Sequence, residues 1–245
     1  MSSVLNVAAY RFVELDDLPG RRQQLLQRAE QAALKGTVLL APEGINLFLA
    51  GEAAALRGWL HDLQQDPCFT GLEVKESLSP APPFRRLRVK IKREIIRMNQ
   101  PAIRPAAGRA PAVDAHTLAR WLRQGRCDEG RELVMLDTRN AFEVDHGAFD
   151  GAVDWRLAKF SDFPEALSAH RATLEGKTVV SYCTGGIRCE KAAIWMREQG
   201  LPHTLQLDGG ILKYFELEPG APHYHGGCFV FDERETLDAD LKGAR

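Results

Sequence analysis

The stretch that most constrains the fold is an apolar strand followed by a glycine-containing loop and a helical segment, KTVVSYCTGGIRCEKAAIWM (residues 177–196). Residues 178–182 are mainly β-branched or aromatic, which is typical of a buried strand. Four apolar side chains then give the following segment one buried helical face: Ala192, Ala193, Trp195 and Met196. This order predicts that Cys183 lies at the carboxyl end of a strand and faces the start of a helix.

Cys183 in this position is predicted to be a reactive thiolate. The unpaired amides and the positive dipole end of a helix start favour the charged form of a thiol, and the thiolate is the nucleophile. Gly185 and Gly186 let the loop turn back so that successive N–H groups face one concave space. Arg188 is expected to add a permanent positive charge at the rim of that space. The alternative is that Cys183 is an inert buried cysteine.

Cys189 follows Arg188 directly, at or near the first turn of the helix. Two interpretations remain open. A second low-pKa thiol could resolve a persulfide on Cys183 or protect Cys183 as a disulfide. Alternatively, the Cys189 side chain points into the core and away from the site.

Composition limits the classes of protein to which the chain can belong. The chain has 245 residues, enough for two modest domains, and is 44% hydrophobic and 27% charged, as in ordinary globular proteins. The net charge of −1 provides no global attraction for nucleic acid, so an RNA-binding surface must be local, and no DNA partner is indicated. No export signal and no long apolar run are evident, which favours a cytoplasmic protein without membrane segments.

Two domains and a linker are predicted. Residues 1–98 alternate strand, helix, strand, strand, helix and strand, which favours a ferredoxin-like α+β domain. The proline- and alanine-rich residues 99–112 are typical of a linker. Strands alternating with helices in residues 113–220 predict an α/β domain with a parallel sheet, with the site at the carboxyl ends of the strands. Residues 221–245 are interpreted as a C-terminal extension.

A row of cations lies near the end of the first predicted domain; it begins directly before a strand predicted over residues 87–96 and continues within it. We call it the basic row: Arg86, Arg88, Lys90 and Lys92. In a strand these four side chains share one face, while Leu87, Val89 and Ile91 face the core. Such a row can simply be a solvated edge that blocks strand addition. Because like charges repel each other without a compensating anion, it also indicates contact with an RNA phosphate backbone.

Asp137 and Arg139 directly follow another apolar strand. They could border the pocket, or they could pin the loop through an ion pair, and the second role is favoured because Asp and Arg at strand ends often close loops. The five cysteines are odd in number and lack paired C-x-x-C spacing, which argues against a disulfide framework. His223, His225 and Cys228 suit no common zinc module, so no metal site is predicted.

The motifs above resemble a known family. The six-residue string Cys183-Thr184-Gly185-Gly186-Ile187-Arg188 resembles the active-site loop of rhodanese-type sulfurtransferases, whose cysteine carries a persulfide. Together with four further strings in the same order, the chain is similar to the bacterial tRNA uridine hydroxylases that act on the wobble position. The strings are APEGIN, FRRLRVKIKREII, LDGGILKYF and CFVFDER.

This resemblance implies an acylphosphatase-like first domain, a rhodanese-like second domain, tRNA as partner and dioxygen as co-substrate; no cofactor is evident. Cys183, Arg188 and Cys189 would be catalytic. Relatives often continue into a cysteine-rich tail, and this chain is expected to be a short form without one. The expected function is oxygen-dependent 5-hydroxylation of the wobble uridine. The alternative is a small-molecule sulfurtransferase that acts through a Cys183 persulfide. The oligomeric state is not predicted.

Overall fold

The computed structural model describes residues 3–243, which form two compact units. The first unit extends to Arg97 and also includes Phe231–Arg234. The second comprises Met98–Val230 together with the residues from Glu235 onward. Each unit has its own cluster of buried apolar side chains. The α+β and α/β classes predicted for the two halves of the chain are confirmed by the architecture described below.

From residue 3 onward, the first unit contains five strands and two α-helices. In chain order they are β1 (Val4–Phe12), α1 (Leu18–Gln31), β2 (Lys35–Ala41), β3 (Gly44–Gly51), α2 (Ala53–Gln64), β4 (Val74–Ser79) and β5 (Leu87–Ile91). The strand order in the sheet is β4-β1-β3-β2-β5. The first four strands thus follow the order expected for a ferredoxin-like domain, and β5 extends the sheet by pairing in parallel with β2.

Alternation along the strands decides which face of this sheet is buried. In β1, for example, Leu5, Val7 and Ala9 enter the core cluster, as do Val38 and Leu40 of β2. The same cluster takes Leu56, Trp59, Leu60 and Leu63 from helix α2. The helices therefore cover one face of the sheet.

The last strand of the first unit differs from its prediction. It ends at Ile91 rather than continuing to residue 96, and Ile91 is 41% exposed although it was expected to face the core. In the described part of the chain β5 is an edge strand that pairs with β2 alone, so Ile91 has a neighbouring strand on one side only. Of the three residues expected to face inward, only Val89 is fully buried.

Up to residue 243, the second unit contains nine strands, four of them only two residues long, and five α-helices. In chain order they are β6 (Ala112–Val113), α3 (Ala115–Gln124), β7 (Leu133–Asp137), α4 (Ala141–Val144), β8 (Gly147–Phe149), β9 (Val153–Asp154), α5 (Phe163–His170), β10 (Thr178–Tyr182), α6 (Ile187–Glu198), β11 (Thr204–Leu207), α7 (Gly210–Leu217), β12 (Tyr224–Gly226), β13 (Cys228–Phe229) and β14 (Thr236–Leu237).

A parallel sheet organises this unit. Its order is β6-β11-β10-β7-β9, and every neighbouring pair is parallel, as predicted. The central strand β10 is buried along its whole length, which explains why its sequence lacks polar–apolar alternation. Because parallel strands end at one edge, the residues that follow β7 and β10 are brought together there.

Two segments expected to lie outside the domains belong to the second unit, apart from Phe231–Arg234 of the C-terminal extension. Residues 99–112 were interpreted as a linker, yet Ile103, Pro105 and Ala110 are buried, and Ala112 starts a strand of the sheet. In the C-terminal extension, β12 pairs with β8, and Cys228, Val230 and Leu237 enter the core cluster. In both segments scattered apolar residues pack without a helical or strand period, which the periodicity analysis could not detect.

Within residues 3–243, no helix combines the length and the apolar character needed to cross a membrane.

Candidate active site

The loop between β10 and α6 surrounds the sulfur of Cys183. Helix α6 begins at Ile187, so Arg188 and Cys189 both lie in its first turn. Gly186 has φ +104°, a conformation that L side chains rarely adopt, and its N–H donates to Cys183 Sγ at 3.2 Å. The second glycine of the loop therefore directs an amide at the sulfur.

The site favours the thiolate form of Cys183. The side chain is completely buried, and burial by itself raises the pKa of a thiol. This effect is outweighed by a hydrogen bond from the Cys189 thiol, by the charge of Arg188 and by the N–H groups of Cys189 and Arg188. Together they lower the pKa of Cys183 to about 5. At neutral pH Cys183 is therefore a thiolate.

Cys189 behaves in the opposite way. Burial raises the pKa of its thiol well above the ordinary value, and the neighbouring Cys183 raises it further. Its single proton faces two acceptors, the carbonyl oxygen of Gly186 at 3.0 Å and the sulfur of Cys183. Cys189 thus lies inside the site and not in the distant core, and it remains a protonated donor beside the thiolate.

Arg188 does not lie at the rim as expected. Its guanidinium is buried and forms two hydrogen bonds with the carboxylate of Glu143, Nη1 to Oε1 at 2.5 Å and Nη2 to Oε2 at 2.7 Å. Burial opposes the charged form of Arg188, but the Glu143 carboxylate holds its pKa above the ordinary value. A buried guanidinium needs such a partner, and the pair fixes a positive charge close to the thiolate.

The first turn of helix α7 binds the backbone of the Cys183 loop through two hydrogen bonds. The backbone N–H groups of Ile211 and Leu212 donate to the carbonyl oxygens of Cys183 and Thr184, each at 3.0 Å. Gly210 allows this approach, because a Cβ atom at that position would lie 2.5 Å from the Cys183 oxygen. The second glycine of the pair in LDGGILKYF therefore serves the close packing of two backbones.

Asp137 and Arg139 form a buried ion pair at the end of β7. Arg139 Nη2 donates to Asp137 Oδ2 at 2.6 Å and to the carbonyl oxygen of Gly147 at 2.7 Å. The hydroxyl of Tyr224 donates to the same carbonyl at 3.0 Å. These bonds tie β7, β8 and β12 together, which is the loop-closing arrangement favoured from the sequence.

The C-terminal segment completes the surroundings of the loop. Thr184 Oγ1 donates to the carbonyl oxygen of Phe229 at 3.3 Å. The adjacent Cys228 is buried, which raises the pKa of its thiol to about 12 and leaves it protonated. Residues 228–229, from the string CFVFDER, are therefore part of the site.

Three site residues were missed by the sequence analysis: Glu143, Gly210 and Phe229. No local pattern pairs Glu143 with Arg188, because the two residues lie 45 positions apart in the chain. The double glycine before α7 was a usable signal for Gly210, since paired glycines often mark close backbone approach. Phe229 lies in the string CFVFDER, which supported the family resemblance but indicated no role for any of its residues.

The remaining predicted residues lie elsewhere. All four members of the basic row are exposed on or beside the edge strand β5. Among the described residues, none of the four forms an ion pair with a carboxylate. Within the same range, no group of three or more His, Cys, Asp or Glu side chains is arranged to hold a metal ion.

Comparisons with known proteins agree with this architecture. Residues 4–95 match the family described as UPF0176 acylphosphatase like domain, and residues 115–217 match the rhodanese-like domain. A tRNA uridine(34) hydroxylase from Variovorax paradoxus is 65% identical over 98% of this chain and 91% of its own length. A protein of the same name from Bordetella avium is 63% identical over 98% of this chain and 99% of its own length.

The chain belongs to the tRNA uridine(34) hydroxylase family.

Within this family, the chain combines an acylphosphatase-like unit with a rhodanese-like unit, as its resemblance implied. The loop of Cys183 lies inside the rhodanese-like match, whereas the basic row lies inside the acylphosphatase-like match. Cys228 and Phe229 lie beyond both matched ranges.

Proposed function

We propose that this chain is an enzyme that hydroxylates C5 of the wobble uridine of tRNA. The names of its relatives support this activity, and those relatives share almost its whole length. The observation that carries the proposal is the Cys183 thiol, because its pKa of about 5 provides a nucleophile at neutral pH. C5 of uridine is a vinylic carbon that is too weakly nucleophilic to react with an oxidant unaided, so it needs this kind of activation.

Dioxygen is the proposed oxygen source. Transfer of one oxygen atom to C5 leaves the second atom to be released as water, which requires two electrons from a reductant of the thiol class. Purified protein, unmodified tRNA and a thiol reductant should therefore place a heavy label from isotopically labelled dioxygen in 5-hydroxyuridine. Label that enters from water instead would contradict dioxygen as the source.

The proposed covalent step is addition of the Cys183 thiolate to C6 of the ring. The sulfur–C6 bond forms, the C5–C6 double bond opens, and its electron pair moves towards C5 and the C4 carbonyl oxygen as an enolate. The loop amides and the fixed charge of Arg188 stabilise the negative charge that develops. After the oxygen atom has been added at C5, loss of the C5 proton together with the Cys183 thiolate breaks the sulfur–C6 bond and restores the double bond. Since Cys183 is completely buried, the base contacts the sulfur only after covering groups move.

This addition predicts exchange of the C5 hydrogen. In heavy water without dioxygen, wild-type protein should introduce deuterium at C5 of the target uridine, because the enolate carbon takes a proton from solvent. The Cys183→Ser variant should introduce none. An enzyme that hydroxylates the same tRNA in air but never exchanges this hydrogen would contradict addition at C6.

Roles for the other site residues follow from their contacts. Arg188 is proposed to stabilise the thiolate and the enolate, and Cys189 to donate its hydrogen bond to the sulfur of Cys183. Thr184, Gly185, Gly186 and Ile187 supply the loop backbone. Asp137 and Arg139 support the pocket by holding three strands together.

The basic row is the proposed contact for the tRNA backbone. Its four side chains are exposed, and the edge strand that carries most of them is not covered by another strand on its outer side. Phosphates supply the compensating negative charge that the neighbouring carboxylates of the described chain do not. Exposure of the basic row also fits a charged edge that blocks addition of another strand. The effect of replacing the row on tRNA binding and its salt dependence distinguishes the two roles.

A second candidate function is transfer of sulfane sulfur from a small donor. It is favoured by the six-residue ring from Cys183 to Arg188, whose amides and charge suit a persulfide anion. In that reaction the thiolate attacks the outer sulfur of thiosulfate, sulfite leaves, and a thiol acceptor takes the sulfur from Cys183. Rapid turnover with thiosulfate and a persulfide mass on Cys183, without change in tRNA, would favour this function.

A further inference from the structure

Phe142 is an exposed aromatic side chain beside the candidate active site. It is 46% exposed, and it is the one large apolar side chain of the second unit that is exposed among the described residues. Its neighbour on the short helix α4 is Glu143, which is buried and holds Arg188. Single exposed apolar residues are common on protein surfaces, so the surroundings of Phe142 must decide whether it has a role.

The ring of Phe142 contacts a second aromatic ring. The ring of Phe142 lies 5.2 Å from the ring of Phe229, centroid to centroid, and the two planes are perpendicular at 90°. The carbonyl oxygen of Phe229 accepts the hydrogen bond from Thr184, the residue that follows Cys183. Of the six loop residues, Gly185 alone is not buried, so it is the loop residue that is accessible from the protein surface. We call Phe142 and Phe229 the aromatic corner.

We propose that the aromatic corner receives the pyrimidine base that leaves the anticodon stack, with one face of the base on Phe142 and its edge against Phe229. An extruded base loses its stacking neighbours, and an aromatic ring replaces them. Two perpendicular rings fit one planar ligand by its face and its edge. The inference rests on the proposed RNA substrate and adds the residues that hold its base.

Equilibrium binding tests this role without requiring turnover. Two anticodon stem-loops are compared at one fixed salt concentration, one with uridine at the wobble position and one with an abasic site there. Stacking of one base on an aromatic side chain corresponds to a change in affinity on the order of tenfold. Wild-type protein should bind the uridine stem-loop roughly tenfold more tightly than the abasic one, and Phe142→Leu should bind both alike.

Matched variants separate stacking from a structural role. Phe142→Tyr keeps the ring and should keep the preference for uridine, as should Leu78→Ala, which shortens an exposed apolar side chain of the first unit (56% exposed). Alkylation of Cys183 by iodoacetamide should proceed at the wild-type rate in Phe142→Leu, because the loop itself is unchanged.

Three results would overturn the proposal: no preference for uridine or no RNA binding in wild-type protein, a preference that survives Phe142→Leu, or equal weakening of both stem-loops by that variant. Failure of the proposed function is distinguishable. If wild-type protein never hydroxylates tRNA yet shows a uridine preference that depends on the ring of Phe142, the aromatic corner stands as a base-binding site and the hydroxylase proposal falls.

Discussion

Removal of the Glu143 carboxylate should destabilise the second unit strongly, because the buried guanidinium of Arg188 loses the carboxylate that accepts two of its hydrogen bonds. Two charge-assisted hydrogen bonds are lost, at 2.5 and 2.7 Å. At roughly 1.5–3 kcal/mol for each such bond, the loss is about 3–6 kcal/mol. Breaking a buried ion pair from one side generally costs about 3–5 kcal/mol. We therefore expect Glu143→Leu to lower the free energy of unfolding by about 3–5 kcal/mol, a large share of the stability of an ordinary domain.

A double-mutant cycle isolates the pair. Arg188→Met alone should also destabilise the unit, whereas Glu143→Leu with Arg188→Met removes both charges and should cost much less than the sum of the single changes. Glu143 Oε1 also accepts from the N–H of Asn140 at 3.0 Å. That bond is absent in both variants that carry Leu at position 143, so it cancels in the coupling energy, which should be about 2–3 kcal/mol.

Urea unfolding followed by tryptophan fluorescence can measure this cycle. Three of the four tryptophans, Trp121, Trp155 and Trp195, lie in the second unit, and Trp59 lies in the first. A Trp59→Phe background therefore reports on the second unit alone, which avoids mixing two unfolding transitions. Single-variant effects that add to the double-variant effect within about 0.5 kcal/mol would refute a coupled buried pair.

Three further predictions concern the thiols and the basic row. The rate of Cys183 alkylation by iodoacetamide should rise with pH through an inflection near 5 and stay level around neutrality; an inflection at the ~8.5 of a free cysteine would contradict a stabilised thiolate. In Cys189→Ala the sulfur of Cys183 loses a hydrogen-bond donor, so this inflection should move to higher pH. An unchanged pH profile would show that the Cys189 thiol does not lower the pKa of Cys183. Replacing the basic row by four glutamines should weaken tRNA binding and flatten its salt dependence while thiosulfate-dependent chemistry at Cys183 stays within about twofold; unaltered tRNA affinity would reduce the row to a protected edge.

Local sequence signals were sufficient to predict the loop of Cys183. The strand before it, the glycines in it and the helix after it are contiguous, so a short window contains the residues that place the sulfur at a helix start. The parallel sheet followed from the same alternation of strands and helices, since few other arrangements bury such strands.

The partners of Arg188 could not be predicted in the same way. The local sequence around Arg188 is compatible both with a guanidinium at the rim of the site and with a buried guanidinium paired with Glu143. The difference depends on α4, which the fold brings back across 45 positions. The closure of the site by Phe229 is likewise non-local, because residues 228–229 reach the loop only after β12 has paired with β8.

Nucleoside mass spectrometry of tRNA tests most directly the claim that the Cys183 thiolate carries out wobble-uridine hydroxylation. Cells that lack this protein and other routes to 5-hydroxyuridine are complemented with wild-type protein or with Cys183→Ser, which preserves the shape of the side chain but has a hydroxyl of far higher pKa. The account predicts 5-hydroxyuridine at the wobble position with wild-type protein and none with a folded, equally abundant Cys183→Ser variant. Modification restored by the serine variant, or absent with both, would contradict it.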